Sequence, residues 1–420
     1  MLGQVPYFPR VADQQLHALL RALGAVVIEG PKACGKTETA RQVAASSVQL
    51  DLDLNARQAA EADPALVLDG PTPRLIDEWQ IVPSTWNAVR HAVDERRSPG
   101  QFVLTGSAVP ADDETRHTGA GRFARMRMRP LSLFESSMSD GQISLVELLG
   151  GRTGSSPDPG LAVADLAEEI AHGGWPASRE LNAEDAQLVL RGYLDEVRNT
   201  DIKNVDGVSR DPEKVSQLMR SLARHTATTT ALTVMAADAG GADGQLNEHT
   251  AGEYMVALRR LFVVEDQPAW SPHLRSKYQL RRSPKRHFVD PSLAVAALRT
   301  GPGPLLADLN FLGYLFESLV VRDLRIYAQA CDAQVLHYRD NNGHEADAIV
   351  QVADGRWAAF EVKLGGGLVD QGAESLKRFA KQIDTTMSGE PAVLGVITGT
   401  GYGYVRDDGI QVIPVGSLGP

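Results

Sequence analysis

The stretch "GPKACGKT", Gly30 to Thr37, follows an apolar run and opens a helical one, "KTETARQVAAS". Glycines at this spacing let a loop fold tightly enough to turn successive backbone N–H groups toward phosphate, and the first turn of the following helix adds favourable partial charge. The candidate nucleotide-binding residues are therefore Gly30, Pro31, Lys32, Ala33, Cys34, Gly35, Lys36, Thr37 and Glu38. Lys36 is placed to reach the terminal phosphates of ATP, and the Thr37 hydroxyl to ligate Mg²⁺. A Gly-rich turn without function is the plain alternative; strand, loop and helix together speak against it. Further on, "RLIDEWQ" is an apolar strand ending in two acids. Asp77 would hold Mg²⁺ through water, and Glu78 would polarise an attacking water, which favours hydrolysis over binding alone. "LTGS" offers Thr105 and Ser107 as sensors of the same phosphate, or as an ordinary strand-end turn. In "GRFARMRMRP", Arg122, Arg125, Arg127 or Arg129 could serve as an arginine finger reaching a neighbouring subunit of a homo-oligomer. Arg122 is counted among the nucleotide contacts. For each arginine taken singly, a solvated alternating strand face is the plainer reading.

A second group lies near the C-terminus. In "RWAAFEVKLG", strand alternation puts Glu361 and Lys363 on one face. In the preceding run, "HEADAIVQV", Glu345 and Asp347 share a face, and the short turn between the runs sets the two strands side by side. Glu317, flanked by apolar residues in "LFESLVV", would turn toward the same sheet, and Gln371 is a possible further polar member. Carboxylates that hold Mg²⁺, with a lysine that orients water and offsets phosphate charge, are what phosphodiester hydrolysis requires. Asp347 and Glu361 are the candidate metal ligands here, beside Thr37 and Asp77 at the first site. The candidate catalytic set is Lys36, Glu78, Glu317, Asp347, Glu361 and Lys363. The plainer alternative for the second group is a cross-strand ion pair on a wet face.

The elements that must carry these groups divide the chain in three. Short apolar runs at 24–30, 48–53, 74–80 and 101–107 alternate with helical patterns, as in an α/β unit with a mainly parallel sheet. A Gly/Ser/Pro-rich stretch at 150–160 interrupts that pattern, and amphipathic helices dominate up to about 300, compatible with a helical bundle or a winged-helix unit. After "TGPGP" a long helix precedes three strand-like runs separated by tight turns, an antiparallel meander. The expected regions are 1–140, 141–304 and 305–420.

Composition narrows the function classes. A net charge of −11 gives no general attraction to nucleic acid, so DNA contact would need a local basic patch. Residues 275–287, "RSKYQLRRSPKRH", supply one, with Tyr278 available to stack on a base; a solvated loop is the alternative. Two cysteines, Cys34 and Cys331, make no disulfide framework. Cys34 could make nucleotide binding sensitive to oxidation, or simply be a small residue in a variable slot. No signal-peptide pattern opens the chain and no apolar run approaches the roughly 18 residues of a membrane span. The expectation is a cytoplasmic protein without a membrane partner.

The order of these motifs, with "HGGWP", "RSLARH" and "HFVDPSLA", resembles a family of bacterial and archaeal AAA-type ATPases fused to a C-terminal domain of unknown function with a restriction-endonuclease-like core. The helix acid, Asp347 and Glu361-x-Lys363 likewise resemble the PD-(D/E)xK nuclease pattern, except that Ala346 stands where proline is common. The resemblance implies an α/β fold: a parallel-sheet P-loop ATPase domain, a helical or winged-helix-like middle region, and an α/β restriction-endonuclease-like domain. Two functions follow as alternatives. One is an ATPase coupled to a Mg²⁺-dependent nuclease acting on DNA. The other is a regulatory ATPase switch, in defence or stress signalling for example, whose nuclease-like core only binds nucleic acid or protein.

Overall fold

The computed structural model describes residues 7–108, 119–240, 246–272 and 283–420. The N-terminal region is built on five parallel strands, β1 (Ala25–Glu29), β2 (Ser46–Gln49), β3 (Arg74–Asp77), β4 (Phe102–Gly106) and β5 (Phe123–Arg127), in the order β2-β3-β4-β1-β5. β1 is covered on both faces, which explains its unbroken apolar run. Val26 and Ile28 pack against Leu16 and Leu20 of the helix Val11–Ala22. Ala25 and Val27 share a core with Trp86, Val89 and Val93 of the helix Thr85–Arg96. β2 stops short of the expected 48–53 because the acids that follow serve the turn. The Asp53 carboxylate caps the helix Leu54–Ala62 by accepting from the Ala56 N–H at 3.0 Å.

Helices make up most of the middle region: Val163–His172, Ala183–Glu196, Pro212–Arg224, Leu232–Asp238 and Glu248–Arg260. The two-residue strand β6 (Ile143–Ser144) lies outside this bundle and pairs in parallel with Leu418–Gly419 at the C-terminus. An antiparallel pair, β7 (Val264–Gln267) and β8 (Lys285–Phe288), follows the last of these helices. β7 runs on into the C-terminal region, where the Trp270 N–H donates to the His337 carbonyl at 2.6 Å and the Trp270 ring joins a core with Trp357 and Phe379.

The C-terminal region holds β9 (Ala333–Arg339), β10 (Glu345–Val352), β11 (Trp357–Lys363), β12 (Val393–Thr398), β13 (Tyr404–Val405) and β14 (Gln411–Pro414) in one mixed sheet, ordered β13-β14-β12-β11-β10-β9. The expected meander is present: β9, β10 and β11 are antiparallel neighbours, whereas β11, β12 and β14 run parallel. The helices Leu309–Tyr327 and Val369–Ala380 cover opposite faces. Among the described residues no helix is long and apolar enough to cross a membrane.

One buried arginine joins the three regions. Arg322, on the helix Leu309–Tyr327, donates to Asp290 at 2.7 Å and pairs with Asp323 at 2.8 Å, all three side chains being withdrawn from solvent. The remaining lone pairs are used. Asp290 accepts from the Gly174 N–H at 3.1 Å and from Ser292, and Asp323 accepts from the Leu133 N–H at 3.0 Å. "HGGWP" and "HFVDPSLA" therefore meet here as structure. Gly174 has no alternative, since a Cβ at that position would lie 2.1 Å from the Leu131 carbonyl oxygen. Removing one member strands a buried charge. Arg322→Ala should lower stability by roughly 3–5 kcal/mol, read as a marked fall in the urea midpoint; a midpoint within experimental error of wild type would contradict this role.

Candidate functional site

β1 delivers the phosphate loop, and two backbone choices shape it. Gly35 sits at φ 101, a conformation that favours glycine, and a Cβ on Gly30 would lie 2.3 Å from the Met128 carbonyl oxygen. The Lys36 ammonium donates to the Gly30 and Pro31 carbonyls at 3.0 and 2.7 Å. Cys34 is fully buried in the core beneath the loop, so its role is packing. Arg10, a residue with no sequence signal, clamps the loop from outside: it donates to the Cys34 carbonyl at 2.9 Å and pairs with Glu135 at 3.1 Å.

The acids of "RLIDEWQ" arrive at the end of β3, beside the loop. The Thr37 hydroxyl donates to Asp77 at 2.9 Å, and Thr105 donates to the same carboxylate oxygen. Glu78 adopts φ 53, a left-handed conformation costing roughly 1–3 kcal/mol in a non-glycine residue. Its carboxylate accepts from Ser107 at 3.1 Å and from Gln80. Thr105 and Ser107 thus orient the two acids directly. A cavity of about 790 Å³ opens here, lined by Lys36, Thr37, Glu38, Glu78 and Ser107 and, across from them, by Asn204 and Leu261 of the middle region. Its size suits a nucleotide. Lys32 reaches over the cavity to Asp201 at 2.6 Å, a carboxylate held by the π-helical turn Val197–Asp201.

The second group also comes together, but around a lysine of the basic run 275–287. Lys285, at the start of β8, is buried, and its ammonium donates to Glu317 at 2.6 Å and to Asp347 at 3.0 Å. The register of β10 against β9 shifts between Ala346 and Ile349, so the expected shared face of Glu345 and Asp347 is broken by a bulge. In the bulge the Asp347 side chain replaces a ladder partner and accepts from the Val362 N–H at 3.0 Å. On β11, Glu361 is bound by Lys363 at 2.7 Å and by Ser375 at 3.1 Å. Gln371 is exposed, and Ser375, one helical turn on, makes the contact instead. Among the described residues no group of three or more acids, histidines and cysteines is arranged to hold a metal ion.

Most of the basic patch, its residues 275–282, lies outside the described residues, Tyr278 included. Its described end points inward: Lys285 and His287 are buried, and Arg286 donates to the Thr230 carbonyl at 2.5 Å.

Three family models match consecutive parts of the chain. Residues 23–137 match an AAA domain, 163–303 a domain of unknown function (DUF8612), and 312–418 a domain of unknown function (DUF4143). The N-terminal part is an AAA-type P-loop ATPase domain. Among curated proteins, uncharacterized proteins of Mycobacterium bovis and Mycobacterium tuberculosis are each 26% identical over 363 residues, 84% of this chain and 73% of theirs. Among solved structures, a Walker-type ATPase of Pyrococcus abyssi is 12% identical with a TM-score of 0.43, covering 69% of this chain and 96% of that one.

Within the AAA-type domain, the four arginines considered as fingers all have partners in their own chain. Arg122 pairs with Asp94 at 2.8 Å. It precedes β5, level with the start of β1, so the length of the strand, roughly 15 Å, separates it from the phosphate loop. As a nucleotide contact within its own chain Arg122 is thus excluded by the parallel register. Arg125 pairs with Glu29. Arg127 and Arg129 pair with Glu265 of β7 at 3.2 and 2.9 Å, joined by Arg325 at 3.0 Å. Burial pushes the Glu265 carboxyl up, but the three guanidiniums prevail and hold it well below the usual range.

At the C-terminal cluster the balance differs. Burial and the neighbouring Asp347 charge raise Glu317 from 4.5 to about 8, despite the opposing effect of Lys285. Burial and Asp347 likewise push Glu361 up. Asp347 is held low: burial pushes it up, but Lys285, Lys363 and the Val362 N–H outweigh this. A carboxyl whose folded pKa is raised binds more protons folded than unfolded, so its contribution to stability falls as pH rises. For Glu317, facing Lys285 from β8, Asp347 from β10 and Glu361 from β11, the window runs from about pH 4.5 to about pH 8. The gap in thermal midpoint between Glu317→Gln and wild type should therefore shift in favour of the variant across that window; a constant gap would contradict the raised pKa.

Proposed function

We propose that the chain is an ATP-hydrolysing switch whose C-terminal domain responds to the nucleotide state without cutting nucleic acid. The observation that carries the hydrolytic reading is the pair of oriented acids at the end of β3, with Asp77 bonded to Thr37 and Glu78 bonded to Ser107. Thr37 and Asp77 present hard oxygen donors side by side, and this donor set fits Mg²⁺. Bound there, the ion would neutralise charge on the phosphate oxygens. Lys36 and the loop N–H groups hold and orient the phosphates, and Glu78 accepts a proton from the attacking water.

The middle region supplies the route of response. Asn204, Leu261 and the Lys32–Asp201 contact place it against the nucleotide cavity, and Leu261 leads directly into β7. From β7, Glu265 binds the AAA-type domain, while the Gln267 amide donates to the Leu336 and Asp347 carbonyls at 2.9 Å. Three helices followed by an antiparallel pair is also the order of a winged-helix unit. The third helix, however, exposes Glu248 and Glu253, charges that repel phosphate.

Convergence of Glu317, Asp347, Glu361 and Lys363 is the observation that favours the nuclease reading. Against it, Lys285 already binds two of the three carboxylates. As placed, these residues do not fit a metal ion.

Glu78→Gln should retain ATP binding and lose hydrolysis by roughly 10²–10⁴-fold; Lys36→Ala should lose ATP binding. Undiminished turnover in Glu78→Gln would rule out its role. The C-terminal assignment is tested separately, by incubating the wild type with duplex, branched and single-stranded DNA in Mg²⁺ or Mn²⁺, with and without ATP. No cleavage is expected, and cleavage abolished by Glu361→Ala would establish the nuclease reading instead.

A further inference from the structure

The C-terminal cluster contains three carboxylates, Glu317, Asp347 and Glu361, and two ammonium groups, Lys285 and Lys363. Every one of these side chains has a partner within the cluster. Lys285 is the member that comes from elsewhere in the chain. It enters from β8, in the middle region, and lies between an acid of the helix Leu309–Tyr327 and an acid of β10.

We propose that Lys285 is the resident cation of this cluster: its ammonium takes the position between Glu317 and Asp347 that a divalent ion would need, so the native cluster takes no metal and serves as a joint between β8 and the C-terminal sheet. This rests on the reading of the C-terminal domain as non-catalytic. Three features bear on it beyond the two contacts. The ammonium is buried, and burial of an unpaired charge is costly, so its exchange for a solvated ion would leave Lys285 without compensation. Charge counting needs no divalent ion: the three acids are already faced by two ammonium groups at ion-pair distance. Finally, β8 is anchored on both sides of Lys285's strand. His287, buried beside it, contacts Ser318 on the long helix at 3.1 Å and Gln267 on β7 at 3.1 Å. The ammonium is thus a built part of the joint.

The test is Mn²⁺ binding by the full chain without nucleotide, followed by electron paramagnetic resonance. Any Mn²⁺ held near Thr37 and Asp77 is common to all the variants, so the differences among them report on the cluster. Wild type and Glu361→Gln should bind equal amounts. Lys285→Ala should gain one Mn²⁺ per chain, and Lys285→Ala combined with Asp347→Asn should lose it again. Lys285→Arg, which keeps a cation in place, should behave as wild type. Less Mn²⁺ bound by Glu361→Gln than by wild type would overturn the proposal, as would a folded Lys285→Ala that gains none. If Lys285→Ala does not fold, the comparison of wild type with Glu361→Gln decides on its own. ATP hydrolysis measured on the same preparations keeps the two readings apart, because its loss would count against the proposed ATPase function and leave the metal result standing.

Discussion

Arg322 is the charge around which the three regions are assembled. A guanidinium in a dry interior is tolerated only when its donors are met by well-placed acceptors, and Asp290 and Asp323 meet them from two different elements. Those acids are in turn bound by the Gly174 and Leu133 N–H groups, so the network reaches the segment that leaves the AAA-type domain. An ionic centre of this kind contributes little net stability compared with apolar packing. Its directional bonds do fix which surfaces meet, and in what register.

Two further ionic centres lie along the same junction and follow the same rule. Glu265 gathers Arg127 from the end of β5, Arg129 from just beyond it and Arg325 from the long helix. Lys285 gathers Glu317 and Asp347. Both Glu265 and Lys285 sit on the β7–β8 pair, which begins just after the cavity residue Leu261. That antiparallel pair therefore touches the nucleotide side of the molecule at one end and the C-terminal sheet at the other.

Much of this was visible in the residues beforehand. The phosphate loop, the acids after β3 and the antiparallel meander all depend on neighbours in the chain, and local pattern reports such features well. β10 shows where that stops. Alternation placed Glu345 and Asp347 on one face, but the bulge between Ala346 and Ile349 turned Asp347 to the Val362 N–H and to Lys285. A bulge is set by what two strands and their coverings can pack, and no residue in "HEADAIVQV" announces it. Lys285 itself belongs to a basic run of six Lys and Arg residues, and nothing in that run announces that its side chain is buried.

The difference has one physical origin. Local stretches of the chain determined the nucleotide loop, its acids and the strand-and-helix alternation around them, because backbone geometry and short-range periodicity act over a few residues. Pairing of charges between distant elements was decided by folding alone: Arg322 with Asp290, Arg127 and Arg129 with Glu265, Lys285 with Glu317 and Asp347. A lysine in a sequence carries the same charge whether it meets a phosphate in solvent or a carboxylate in the core. Only burial, and the partner that burial demands, separates the two.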